Sequence, residues 1–439
     1  MKNFLESHFH IAERNSTIGR EVVGGLVTFM AMAYIIFVNP SILGVTGMDQ
    51  TALMLATCIS AAIGTLLTAF MANVPFAQAP GLGINALFSY TLCLKLGYTW
   101  QQCLGMTFIS GLIFLIITLS PLRNKIIEAI PAQLKRAISV GIGMFIALIG
   151  LINAGIVTAN NNLLDLGNIT HGAPLLALIG LLITAILLVF KVRGAILYAI
   201  IATTIIGIPT GITNTAISFN FSNLTLEPTF FKLTLTGLAA LGVFPLITSI
   251  LTLCMCDCFD TVGTLTGCAA GCNMLDENGN MKSQDMSKAL TADALATCAG
   301  SLLGTSTVTT FVESSTGVAA GARTGLASIV TGCLFLLACL LAPIAGIIPS
   351  AATAPALIIV GIFMMKNVIH IDWEDMEIAI PAFLTIAMMP FAYSISDGIG
   401  FGLISYTLLK MIRGKFKEIP VLMYILSALF IVMYIVSGI

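Results

Sequence analysis

Apolar runs, most of them long enough to cross a membrane, recur twelve times along this chain, and they dictate what it can become. A helix needs about 20 such residues to cross the hydrocarbon core of a bilayer. The runs fall at roughly 22–40, 51–71, 101–119, 133–153, 173–190, 195–212, 237–257, 323–346, 351–366, 376–393, 396–411 and 420–437. Only 9% of the 439 residues are charged, against roughly 25% in a soluble domain. Nothing is left to form a polar surface around a core, so the chain reads as an all-α polytopic membrane protein. A net charge of −1 gives no field for nucleic acid. Residues 1–21 are polar, and the run that starts at Val22 has no small-residue cleavage site, so the first span is expected to be retained.

Two weaker regions, about 75–94 and 289–322, are apolar but broken by Gly, Pro, Ser and Thr, as in PFAQAPGLGINALF and GTSTVTTFVESSTGVAAG. Interrupted segments at corresponding places in two halves point to the binding site of a transporter, because non-helical backbone is tolerated in a membrane only where protein or water satisfies it. Two short words repeat in order. Ala56-Thr57-Cys58 with Gly64 returns as Ala296-Thr297-Cys298 with Gly304, and Val140-Gly141-Ile142-x-Met144 returns as Val360-Gly361-Ile362-x-Met364. The expectation is a seven-plus-seven repeat of fourteen segments, inverted because each half has an odd number of spans, with 420–437 as an extra span or an interfacial helix. With the N-terminus inside, seventeen of the nineteen Lys and Arg lie on the inner side and only Lys95 and Lys232 outside. That bias sets the expected orientation in a bacterial-type cytoplasmic membrane.

Acids in the tails and loops, among them Glu6, Glu13, Glu21, Glu128, Asp276, Glu277, Asp285, Asp372, Glu374, Asp375, Glu377 and Glu418, read as solvated surface. Asp257, Asp260, Asp293, Glu313 and Asp397 stand instead at membrane depth or at helix breaks, where an ionisable group needs a reason. Asp257, Asp260 and Thr264 in CDCFDTVGTLTG share a helix face at i, i+3 and i+7. Two carboxyls so placed repel, and the pair is expected to hold a proton between them. Glu313 in TFVESSTG stands where an extended stretch turns into a short helix, a place that suits an N-cap, a polar ligand or both. Asn85 follows PGLG in the matching first-half segment. No phosphate loop, zinc-protease helix or nucleophile elbow is present, and His8, His10, His171 and His370 fall in tails or loops, so no enzyme is expected.

The segments GGLVTFMAMAYIIFVNPSIL, AQAPGLGINALFSYT, CDCFDTVGTLTG, ESSTGVAAGARTGL and AYSISDGIGFGLISY resemble the azaguanine-type purine permeases, a branch of the nucleobase–cation symporters sister to the nucleobase–ascorbate transporters. The resemblance covers nearly the whole chain. It implies a core domain from 1–120 and 236–347 and a gate domain from 121–235 and 348–439, with short strands and half-helices in segments 3 and 10. It also implies proton-driven uptake of a purine, no further cofactor, an elevator-like movement of core against gate, and a homodimer by analogy. By the same resemblance Glu313, Asp260, Asn85, Ser314 and Thr264 would contact substrate, and Asp257, Asp293 and Asp397 would support or couple the proton. Ser314-Ser315 replaces the Gln/Glu-Asn core of the sister signature, which argues against ascorbate, uracil or xanthine. An ionised Glu313 favours guanine and hypoxanthine, whose N1–H it can accept; adenine, with an acceptor at N1, is the alternative. A small anion carried on the same architecture is the more distant one.

Overall fold

The computed structural model describes residues 8–120, 130–160, 163–214, 224–238, 242–272, 274, 281 and 283–437. In the first half the order is Ile18–Met32 (α1), Ile35–Leu43 (α2), Gln50–Ala72 (α3), strand Gln78–Pro80 (β1), Leu82–Ala86 (α4) continuing as a π-helix Leu87–Lys95, Trp100–Leu119 (α5) and Ala132–Asn153 (α6). A hairpin of Val157–Asn160 (β2) and Leu163–Leu166 (β3), then Gly172–Val189 (α7) and Ala195–Gly207 (α8), complete it. The second half has Val243–Gly271 (α9), Ser283–Leu303 (α10), strand Val308–Thr310 (β4), Ser314–Ala319 (α11) and Gly325–Ala338 (α12). It ends with Ser350–Met365 (α13), Met376–Phe391 (α14), Ile395–Ile412 (α15) and Val421–Ser437 (α16). Among the described residues nine helical stretches are long and apolar enough to cross a membrane, so this is a multi-pass membrane protein.

Two boundaries differ from the sequence reading in ways that matter. The run at 237–257 enters α9 only at Val243, and the helix continues to Gly271 and so carries Asp257, Asp260 and Thr264 without a break. The weak region 289–322 is not broken throughout: α10 holds to Leu303, and only the rest divides into β4 and α11. Helix α10 is polar because Asp285, Lys288 and Asp293 ride on it. Glu6, Glu128, Asp276 and Glu277, placed above in tails and loops, and Lys2, Arg123, Lys125 and Lys282, four of the seventeen inner-side basic residues, lie outside the described residues.

The helices pack in two groups. In one, α3 lies against α10 and α12, α5 against α9 and α10, and α1 against α11 and α12. In the other, α6 packs on α13 and α14, α14 on α15, and α7 on α8 and α13. Small residues let these backbones meet, as expected where lipid removes the hydrophobic drive between helices. A Cβ on Gly143 of α6 would stand 2.6 Å from Met364 Cβ, and one on Gly361 of α13 would stand 2.5 Å from Gly143 O. The two Val-Gly-Ile words thus face each other across this contact. Similarly, a Cβ on Gly24 of α1 would stand 2.5 Å from Ala322 Cβ.

Two acids read as solvated are buried. Glu21 is fully enclosed in the first turn of α1, and its carboxylate accepts the backbone N–H groups of Arg323 (2.9 Å) and Thr324 (3.2 Å) just before α12. It serves as a cap contributed by another helix. Glu377, 5% exposed, gathers Arg413, Lys410 (3.0 Å) and Lys415 (2.9 Å). Polar flanks alone could not reveal that these chains turn inward.

Helix α16 runs antiparallel along α15. Glu418 pairs with Lys410 (2.7 Å) before its start, Ser427 bonds Thr407 (2.9 Å) midway, and Tyr434 O–H donates to Asp397 O (3.4 Å) near its end. Phe430 and Met423 on it are buried. At 1.5 Å per residue its 17 residues reach about 25 Å, close to the thickness of the hydrocarbon core. It therefore returns along a membrane-length helix and is expected to cross. A cysteine at Val436, on a cysteine-free background, should label from the membrane face opposite that of cysteines placed at 123–136 or 191–193. Labelling of all three from the same face would make α16 interfacial.

Candidate functional site

Two broken segments cross at the centre of the first packing group. Strands β1 and β4 pair antiparallel, with Gln78 opposite Thr310, Ala79 opposite Thr309 and Pro80 opposite Val308, and all six residues are buried. Gly81 N–H donates to Thr307 O (3.1 Å) and Phe311 N–H to Ala77 O (3.0 Å), extending the ladder. Chain that has left the helix must satisfy its backbone elsewhere, and here each segment satisfies the other. Hydroxyls clamp the outer edges. Thr65 Oγ1 bonds both Gln78 N (3.0 Å) and Gln78 O (3.1 Å), and Thr297 Oγ1 bonds Val308 N and Val308 O at 3.2 Å each. Each strand then leads into a half-helix, α4 or α11.

Glu313 stands at the N-cap position of α11, but its side chain does not cap the helix. Instead Oε1 accepts the phenol proton of Tyr34 at 2.6 Å, and Thr316 Oγ1 donates to Glu313 O at 2.6 Å. Ser314 is buried and turned the other way, its Oγ accepting from Ala77 N (3.0 Å) and so fastening α11 to the strand pair. Ser315 and Thr316 are exposed.

The acids expected to stack on one helix face occupy different surroundings. Asp257 is fully buried, accepts from Thr297 Oγ1 at 3.1 Å through Oδ2, and has no partner for Oδ1 among the described residues. Asp260 is exposed, and neither it nor Thr264 has a hydrogen-bond partner among the described residues. Glycines 263 and 267 continue the Asp260 face toward the Arg323 end, and a Cβ on either would meet nothing within 4 Å. An unpartnered carboxylate on a spanning helix belongs in contact with water rather than with hydrocarbon, so this face of α9 is expected to line a water-filled passage. Glu313 lies within electrostatic reach of Asp260.

Asp293, also fully buried, accepts from Gln78 Nε2 (3.2 Å) and Thr261 Oγ1 (2.9 Å), and Thr261 shares a 2.6 Å bond with Thr309. Asn85 donates to Asn39 Oδ1 (2.6 Å) and accepts from Ser306, while Asn39 donates to Thr57 (2.6 Å) and Thr305 (3.0 Å). This buried net ties α2, α3 and α4 to the chain before β4. Asp397 stands apart, in the first turn of α15, paired with Lys95 Nζ at 2.8 Å; the same ammonium donates to Ala392 O (2.8 Å).

Sequence reasoning ranked the acids and passed over their hydrogen-bond partners. Tyr34, Asn39, Gln78, Thr261 and Thr297 all stand inside apolar runs or motifs already singled out, and a polar side chain in a span was the available signal. A crossed pair of interrupted helices with carboxylates beside it, in a multi-pass fold, is the arrangement of a transporter-type membrane protein. The Permease family model Xan_ur_permease matches residues 19–401, and the chain belongs to this family. The chain is 44% identical to a putative permease of Methanocaldococcus jannaschii, with 98% of each chain covered. It is 41% identical to guanine/hypoxanthine permease PbuG of Bacillus subtilis (98% and 99% covered) and 39% identical to adenine permease AdeP of Escherichia coli (98% and 96% covered). These relatives are permeases, not enzymes. Among solved structures, the transmembrane domain of a cyanobacterial bicarbonate transporter, BicA, has the same fold, with a TM-score of 0.62 at 17% identity over 86% of this chain and 97% of that one.

The split between the two aspartates has a direct consequence. In purified protein without native cysteines, Asp260→Cys should react readily with a small water-soluble thiol reagent, and Asp257→Cys should react only on unfolding. Equal reactivity would contradict the passage along α9.

Proposed function

We propose that the protein imports purine nucleobases, chiefly hypoxanthine and guanine, together with protons. One observation carries the reading: Glu313 places a carboxylate between the crossed segments and the open face of α9, with one oxygen held by Tyr34. The other oxygen and the second lone pair of the held one are left for a ligand. Guanine offers N1–H and 2-NH₂ side by side, which a carboxylate accepts in the charge-assisted bidentate geometry that orients planar ligands. Hypoxanthine keeps N1–H. The names of PbuG and AdeP, a guanine/hypoxanthine and an adenine permease, support a purine and leave adenine as the second reading.

In this account Asp260 and Thr264 meet the substrate from α9 and Ser315 lies beside it. Ser314 and Asn85 act by fixing the half-helices, since their polar atoms are already engaged. Asp257 and Asp293 form the buried acid set that exchanges the coupled proton, and the unpartnered Oδ1 of Asp257 is where it would reside. The fourteen-segment inverted repeat, a core of α1–α5 with α9–α12, and a gate of α6–α8 with α13–α15 belong to the same proposal. With the basic ends of the helices in the cytoplasm, the passage past Gly263 and Gly267 opens inward, and the Lys95–Asp397 pair closes the outer side. The arrangement is then inward-facing, and the pair must break when the core moves.

Glu313→Gln replaces an acceptor by an NH₂ that opposes the purine donor. Losing a hydrogen bond to a charged group costs about 1.5–3 kcal/mol, and the mismatched donor adds to it. Guanine binding to the purified variant should fall by at least about tenfold, and hypoxanthine uptake by cells lacking other purine permeases should disappear. Asp257→Asn should still bind and exchange purine across vesicles but no longer concentrate it under a pH gradient. Wild-type guanine affinity in Glu313→Gln would remove this carboxylate from the site.

A further inference from the structure

We infer that Tyr34 is a positioning residue that sets the selectivity of Glu313, holding the carboxylate as an acceptor for purines that bring an N1–H. The inference rests on the assignment of Glu313 to the substrate. Tyr34 stands where α1 gives way to α2 and is 1% exposed, so its ring is fixed by packing. Its hydroxyl lies 2.6 Å from Glu313 Oε1, the short distance of a bond from O–H to a charged acceptor. The helices next to the pair, α1 just before Tyr34 and α11 just after Glu313, pack together. A Cβ on Gly317 of α11 would stand 2.6 Å from Gly24 O of α1, so α1 and α11 touch backbone to backbone.

The phenol has a single proton, and in this arrangement Glu313 receives it. A carboxylate that already accepts one bond at a fixed oxygen keeps its remaining lone pairs for a ligand. Those lone pairs reward a donor and penalise an acceptor. Guanine and hypoxanthine present N1–H, whereas adenine presents the bare N1. Tyr34 thereby discriminates between purines without touching them, through the orientation and electron-pair character of its partner.

Tyr34→Phe removes the hydroxyl and keeps the ring, so the helix break should pack as before. Binding of guanine, hypoxanthine and adenine is measured on the purified full-length protein. The expected result is a loss of about tenfold for the two oxopurines with little change for adenine, so that the guanine-to-adenine affinity ratio falls by about tenfold. A purely structural role would lower all three together. An unchanged ratio, whether the affinities fall in parallel or stay at the wild-type level, overturns the inference. Failure of the underlying assignment is read separately: there Glu313→Gln itself binds guanine as the wild type does.

Discussion

The antiparallel contact between Gln78–Pro80 and Val308–Thr310 is the constraint on which the rest of the molecule depends. A membrane protein that unwinds a helix exposes N–H and C=O groups that lipid cannot satisfy, at a cost of several kcal/mol each. Unwinding two segments and crossing them lets each complete the other's ladder. Everything around the crossing serves it. Thr65 and Thr297 clamp its edges, and Gly64 and Gly300 give it room: a Cβ on Gly64 would stand 2.6 Å from Gln78 Oε1 and one on Gly300 2.7 Å from Val308 Cγ2. The half-helices leave the crossing where Glu313 and Asn85 stand.

Around this crossing the acids are sorted by surroundings. Asp293 and Asp257 are enclosed and answered by Gln78, Thr261 and Thr297, so they bind the crossing to α9 and α10. Asp260, one turn further along α9, faces open space. Glu313 lies between, half-buried, with one oxygen engaged. Asp397 does different work, joining α15 to Lys95 at the far end of the π-helix from β1. A single chemical group thus fills three roles, fixed by what each carboxylate faces.

Much of this was legible in the residues. Apolar runs gave most of the long helices, because about twenty mainly apolar residues have one stable outcome in a bilayer, and among the described residues only the polar α10 escaped them. The Gly, Pro, Ser and Thr of the weak regions marked both breaks, since those residues interrupt a helix for known stereochemical reasons. What failed was partnership across the chain. Glu21 looked like a polar flank and is a buried cap for residues 323–324, a contact that joins positions 302 residues apart. Asp257 and Asp260 looked like neighbours, yet one turn of helix carries them from a closed interior to an exposed face. The repeated word Ala-Thr-Cys also misled. Thr297 clamps β4, but its counterpart in that role is Thr65, while Thr57 bonds Asn39 instead. Short words in so apolar a chain recur by composition, whereas the clamp is fixed by geometry.

The most direct measurement of the central claim is a structure of the full-length protein with guanine bound, determined in lipid. The account predicts a planar density between the Asp260 face of α9 and the start of α11, with a carboxylate oxygen of Glu313 within hydrogen-bond distance of the purine and the β1–β4 ladder intact. Guanine bound away from Glu313, or a site formed without the crossed strands, would contradict it.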